Sequence, residues 1–289
     1  MKIYTNESMK KHTSFKVGGN ADCIVCPEDK NELIELVKFL REKNYKTYIL
    51  GRGTNILVSD EGVHGCIIEI SKEYFSKMNV EGNNIKVGAG ALLTSFCDEA
   101  ANCGLSGLEA LCGIPGSVGG AIAMNASAYD INISDHLEFV EVISFDGEEK
   151  VLSKEDCKFA YRDSIIQKDK SIVINATFSL INDQTEEILK RMSSFRELRK
   201  GKQPLDKPSA GSFFKRPSGH YAGQLIEESD LKGEKIGGAS VSTKHCGFIV
   251  NDGEATSKDI YSLMKKIQNK VSIYHGIDLE PEVKMWGKF

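Results

Sequence analysis

The sequence predicts an α+β fold, on three observations. Short apolar strands and an amphipathic helix alternate over residues 1–72. A strand with period-two patterning at 137–145 turns back through Asp146-Gly147, a hairpin signal. Two helices carry their own boundary signals, one opening at Asp29 and one running from Thr256 to Gly276.

Each element follows from its residues. Ala21–Pro27 reads as a strand. Asp29 with Glu32 three residues on opens a helix whose apolar positions are Leu33, Ile34, Val37 and Leu40. Tyr45–Leu50 is a strand ending in a glycine turn, Gly51-Arg52-Gly53-Thr54-Asn55. Strands at 55–58 and 66–70 are joined by the turn Asp60-Glu61-Gly62. Short strands follow around Ile85–Val87, then a helix from Thr94 to Cys103 closed by Gly104. A glycine-rich loop occupies 113–128. Val151-Leu152 returns from the hairpin, Ser171–Leu180 is a strand, and Thr185–Lys200 is a charged helix. Gly201-Lys202-Gln203-Pro204 marks a domain boundary. Beyond it lie the strand Gly247–Asn251, a helix buried through Ile260, Leu263, Met264, Ile267 and Val271, and an extended run at 279–286.

Composition bounds the function. The 289 residues suffice for two or three domains, and 40% hydrophobic residues argue against disorder. A net charge of −4 offers no general field for nucleic acid or an anionic membrane, so neither is expected as a partner. The N-terminal residues lack a secretion signal and no apolar run is long enough to span a bilayer, which places the protein in the cytoplasm. The eight cysteines are then expected as reduced thiols. Cys23 and Cys26 have redox spacing, but three residues along a strand they face opposite sides. The six histidines show no metal-ligand spacing, and no metal is expected.

The glycine turns carry the strongest chemical signal. Gly113, Gly116, Gly119 and Gly120, with Pro115 among them, let bare backbone approach a ligand. Their amides can turn toward an anion such as a diphosphate. With Gly51–Asn55 they suggest one extended phosphate-bearing cofactor held from two sides. Neither turn is a Rossmann fingerprint, and no Walker lysine follows any glycine run. On the glycines alone, simple turns stand as the alternative, against which two such turns with the polar donors Thr54, Asn55, Ser117 and Asn125 weigh.

Four motifs in order carry a resemblance. They are His12–Gly19; Gly51–Val58; Gly113–Gly120 with Asn125-Ala126; and a group comprising Tyr161-Arg162-Asp163-Ser164, Gly211–Lys215 and Glu280–Val283. Together they resemble the bacterial UDP-N-acetylenolpyruvoylglucosamine reductases, in their shorter type lacking a tyrosine-bearing insertion. The resemblance implies a two-subdomain FAD-binding domain of the vanillyl-alcohol-oxidase type (1–72 and 73–200) and a C-terminal α+β substrate domain (201–289). It implies non-covalent FAD, NADPH as co-substrate, UDP-N-acetylglucosamine enolpyruvate as acceptor, a monomer, and a cytoplasmic step of peptidoglycan synthesis. An oxidase of the same fold would leave Arg162, Ser212 and Glu282 together unexplained.

The resemblance also assigns roles. Arg162 matches the catalytic arginine, a permanent cation able to grip a carboxylate bidentately. Ser212 matches the proton donor, with small neighbours Ala210 and Gly211 leaving room for substrate. Glu282 matches the catalytic glutamate, which must be held neutral to donate a hydrogen bond. Glu280 lies on the same face by strand alternation, so the motif alone selects Glu282. FAD contacts are expected from Gly51, Arg52, Gly53, Thr54, Asn55, Gly113, Ile114, Pro115, Gly116, Ser117, Gly119, Gly120 and Asn125. Substrate contacts are expected from Tyr161, Lys215, Arg216 and Gln224. The chain departs from the family pattern at Ser127 and Asp130, where glycines are usual.

Overall fold

The computed structural model describes residues 1–70 and 73–289. The boundary expected after residue 72 falls at Ser71-Lys72, outside the described residues. The described chain forms two compact units. The first comprises Met1–Tyr4, Cys23–Arg52 and Gly65–Arg199; the second comprises Thr5–Asp22, Gly53–His64 and Lys200–Phe289. The units are thus assembled from separated stretches of chain rather than from contiguous segments.

Strands Lys2–Ser8, Asn20–Cys26, Val63–Glu69 and Thr47–Leu50 form a four-stranded sheet in that order. Thr47–Leu50 and Val63–Glu69 run parallel. The helix between strands, Lys30–Glu42, is capped by Asp29, whose carboxylate accepts from Glu32 N at 2.9 Å. It buries Leu33, Leu36, Val37 and Leu40, while Ile34 is half-buried.

The first unit's larger sheet is antiparallel. Its order is Glu149–Ser153, Leu137–Ile143, Ile172–Ser179, Asn84–Gly88 and Met78–Glu81. Helix Leu93–Asn102 packs on this unit's core, with the Phe96 and Phe178 rings 4.8 Å apart. Full burial of such a side chain contributes roughly 1.5–3 kcal/mol. The glycine-rich stretch is not all loop. Ser117 accepts from Gly120 N and starts a short helix, Val118–Ala123, that buries Val118, Ala121 and Ile122. The charged helix runs Thr185–Lys202, through the Gly201 expected to break it.

The second unit centres on helix Ser257–His275. Thr256 and Asp259 form a reciprocal capping box, and Gly276 ends the helix at φ 66°. The Asp60 carboxylate accepts from the N–H groups of Ser257 and Lys258 at 2.9 and 3.0 Å, which satisfies two of the helix's orphan donors. A sheet ordered Ser209–Ser212, Phe248–Asn251, Ala239–Val241 and Lys235–Ile236 packs in the same core. Residues 5–22 and 53–64 belong here for visible reasons. Phe15 meets Phe213 edge-on at 6.2 Å, Asn251 donates to Phe15 O at 3.0 Å, and Ser14 Oγ donates to Ser209 O at 2.6 Å. Strand Lys284–Trp286 pairs parallel with Ile56–Val58. The rest of the extended run at 279–286 is irregular, with a single bridge between Pro281 and Phe214.

All eight cysteines are free thiols. Burial pushes Cys66 up to about 12, and Cys26 and Cys157 up to about 11. Such thiols are inert packing residues.

Candidate active site

In the first unit the two glycine turns meet. A methyl group built on Gly51 would lie 2.4 Å from Ser117 Oγ, so the first turn rests directly on the start of the second. A methyl on Gly119 would lie 2.8 Å from Ala89 Cβ, and one on Gly113 2.7 Å from Arg199 Cδ. Arg52 and Pro115 are exposed; Ile114 and Gly116 are half-buried. Asn125 is buried at φ 42°, and its Nδ2 donates to Ala160 O at 3.1 Å. Its Oδ1 is buried without a partner among the described residues. A buried amide oxygen left this way is short of a donor, which the N–H and hydroxyl groups of a flavin nucleotide would supply. Bare backbone beside a buried acceptor therefore fits FAD.

Gly53 and its neighbours belong to the second unit. Gly53 has φ 61°, and a Cβ there would lie 1.9 Å from His12 O. Close packing of chain on chain requires that glycine. Thr54 and Asn55 are half-buried, and Asn55 Nδ2 donates to Glu282 O at 3.2 Å.

Arg162 sits in a tight turn. Ala160 and Asp163 exchange both backbone hydrogen bonds, at 3.0 and 3.2 Å. Arg162 takes the third turn position at φ 56°, where glycine or asparagine is usual. Its Nη1 donates to Ser127 Oγ at 2.7 Å, and its guanidinium lies 5.0 Å from the Tyr161 ring centroid. Asp163 is paired to Lys168 at 2.5 Å. Ser127 lies on a hairpin, Ser127–Ala128 against Ile131–Asn132, whose two turn residues Tyr129 and Asp130 both have positive φ. Aspartate tolerates that conformation. The glycines missing at 127 and 130 are therefore accommodated, and the first of them supplies a hydroxyl to Arg162.

Ser212 ends the strand Ser209–Ser212, which pairs with Phe248–Asn251 through a register shift between the two end residues. Gly211 sits at the irregularity with φ 78° and open space where a Cβ would be. Such bulges re-aim the next side chain, and Ser212 is exposed. Glu282 N donates to Phe213 O at 2.8 Å, and Glu282 is half-buried. Glu280 is exposed and accepts from Lys215 Nζ at 2.5 Å. The strand alternation expected at 280–282 is absent, and the two glutamates occupy different surroundings. Lys215 is thus held by an acid, and Gln224 donates to Glu228 at 2.7 Å. Arg216 lies over the Tyr221 ring, 4.0 Å from its centroid.

Sequence reasoning missed Arg199 and Ser127. Arg199 lies in a charged helical run that looks like a solvated face. Ser127 looked like a simple loss of glycine.

Comparison with known proteins identifies the family. A family model described as FAD binding domain matches residues 21–153. One described as UDP-N-acetylenolpyruvoylglucosamine reductase, C-terminal domain, matches residues 203–286. The UDP-N-acetylenolpyruvoylglucosamine reductase of Caldanaerobacter subterraneus subsp. tengcongensis is 47% identical over 99% of this chain and 94% of its own. That of Clostridium botulinum Alaska E43 is 45% identical over 99% and 93%. The crystal structure of the Thermus caldophilus reductase superposes with a TM-score of 0.85 at 39% identity, covering 99% of this chain and 98% of the other. The chain belongs to the UDP-N-acetylenolpyruvoylglucosamine reductases, FAD-dependent oxidoreductases of peptidoglycan synthesis.

Proposed function

We propose that this chain reduces UDP-N-acetylglucosamine enolpyruvate to UDP-N-acetylmuramate with NADPH as electron donor, acting as a cytoplasmic monomer without nucleic-acid or membrane partners. Residues 1–72 and 73–200 serve as the two FAD subdomains and 201–289 as the substrate domain. When bound, FAD relays a hydride between the two substrates. The chain's own residues orient those groups and manage charge and proton. The glycines of 51–55 and 113–120, with Arg52, Thr54, Asn55, Ile114, Pro115 and Ser117, hold the diphosphate side of the cofactor, and Asn125 accepts from it through Oδ1.

Arg162 grips the substrate carboxylate, on which negative charge builds. Ser212 delivers the proton to the adjacent carbon, and Glu282 donates a hydrogen bond to the developing charge. Tyr161 supports Arg162 from its ring face. Lys215, Arg216 and Gln224 contact the sugar nucleotide; Lys215 must exchange Glu280 for a phosphate to do so. The observation that carries the reading is Arg162, a half-buried guanidinium kept in the left-handed region on an ordered turn. Backbone strain of this kind concentrates at functional sites.

The test is oxidation of NADPH at 340 nm (roughly the nicotinamide absorption maximum) by the purified yellow protein. Oxidation should require the enolpyruvyl sugar nucleotide. Oxygen-dependent turnover without it would replace this reading by an oxidase of the same fold.

A further inference from the structure

We propose that Arg199 is a ligand of the FAD diphosphate, because its guanidinium stands against the glycine-rich loop with a buried nitrogen that finds no partner among the described residues. Three observations carry this. A methyl group built on Gly113 would lie 2.7 Å from Arg199 Cδ, so the arginine lies directly on the loop. Arg199 Nε is fully buried and its N–H finds no acceptor among the described residues. Its electrostatic neighbours are Tyr129 and Cys112, neither a carboxylate, and burial pushes the Cys112 thiol up.

A cation in that position is costly. Burial pulls its own proton affinity down, and uncompensated buried charge destabilises a fold unless an anion meets it. The contrast with Arg191 on the same helix is direct. Arg191 donates to Glu109 at 2.7 Å and to Asp183 at 2.5 Å. Among the described residues no carboxylate pairs with Arg199. The missing partner is therefore an anion brought by a ligand. The diphosphate is the part of oxidised FAD that carries fixed negative charge. Guanidinium matches phosphate oxygens in geometry, and its hydrogen bonds to them are charge-assisted.

The inference rests on the reading that residues 113–120 hold FAD, and the experiment separates the two. FAD and riboflavin, which lacks phosphate, are titrated by flavin-fluorescence quenching into the full chain stripped of flavin. Wild type should bind FAD far more tightly than riboflavin. Arg199→Met should lose about tenfold to a hundredfold in FAD affinity, with riboflavin affinity unchanged. Arg199→Lys, which keeps the charge but not the fork, should lose less. Flavin-free Arg199→Met should melt no lower than flavin-free wild type, since it sheds an unpaired buried cation. Wild type that fails to prefer FAD over riboflavin sinks the loop reading and this inference together. A wild-type preference that Arg199→Met retains in full sinks this inference alone. Equal losses of both flavins, or a Met variant that does not fold, mark Arg199 as a structural residue and also overturn it.

Discussion

Two turns in this molecule present side chains of the proposed site, and they bear backbone strain differently. At 209–212 the unusual conformation falls on Gly211, and Ser212 follows it in an ordinary strand position. At 160–163 it falls on the residue proposed to grip the substrate, Arg162 at φ 56°. A serine hydroxyl needs only to be aimed, which a neighbouring glycine can do. A long guanidinium must also be held still, and a left-handed turn with a hydroxyl and a ring against it restricts more of its freedom. The difference suggests that charge placement tolerates error less well than proton delivery at the proposed site.

The comparison can be broken at five points. Arg162→Met should cost the most, roughly 10³-fold in turnover, as expected for removing a preorganised group that meets developing charge. Stopped-flow spectroscopy should show flavin reduction by NADPH intact and reoxidation by the sugar nucleotide slowed. Ser212→Ala should cost roughly 10²-fold in the same half-reaction. A Ser212→Ala enzyme with normal reoxidation would remove the serine from the chemistry.

Strain itself is tested by stability. Arg162→Gly and Arg162→Ala both delete the side chain, but only alanine keeps a Cβ in the left-handed region. The glycine variant should be more stable by about 1–2 kcal/mol in urea melts. Gly211→Ala should lose about 1–2 kcal/mol for the same reason, despite the open space around it. Equal stability of the Arg162 pair would mean the turn is unstrained.

Smaller still is Ser127→Ala. Losing one net hydrogen bond, about 0.5–1.5 kcal/mol, should lower turnover a few-fold and the melting temperature by no more than about a few degrees, leaving flavin reduction by NADPH unmoved. A fall in melting temperature with unchanged kinetics would make Ser127 a structural residue. The last effect concerns the unit that carries Arg162. Burial alone would raise the Glu109 carboxyl, but Arg191, the Gly107 N–H and the Ser106 hydroxyl outweigh it and hold the group below its usual range. A lowered folded pKa means the contribution is complete above the unfolded value near ~4.3. It is lost as pH falls through the folded value. Urea midpoints of wild type should therefore drop below about pH 4.3, and those of Glu109→Gln should drop less.

Much of the fold was legible, because local chemistry decided it. Asp29, Thr256, Asp259 and Gly276 mark helix ends by side-chain and backbone needs that no distant residue alters. The helix at 118–123 was not legible, since two glycines mask its pattern and its stability comes from burying Val118, Ala121 and Ile122. The grouping of residues 5–22 and 53–64 with the C-terminal stretch depends on long-range pairs such as Phe15 with Phe213, which no local pattern encodes. At the candidate site the motif residues could be named, but their partners could not. That Ser127 serves Arg162, and that Glu280 engages Lys215, are facts of three-dimensional placement. Arg199 stayed hidden because a sequence shows charge but not burial.

The parallel pairing of Lys284–Trp286 with Ile56–Val58 has a consequence for how the protein is made. Ser59 N donates to Trp286 O at 2.8 Å and Ser59 Oγ to Lys288 O at 2.6 Å, so residues near position 58 complete their hydrogen bonding only with residues translated long after them. On the ribosome the second unit must wait, holding Leu57 and Phe15 for a core that arrives some 200 residues later. The first unit is complete once Arg199 has been made. Nascent chains stalled shortly before residue 284 should therefore expose an unpaired Ile56–Val58 edge, the species a chaperone would meet.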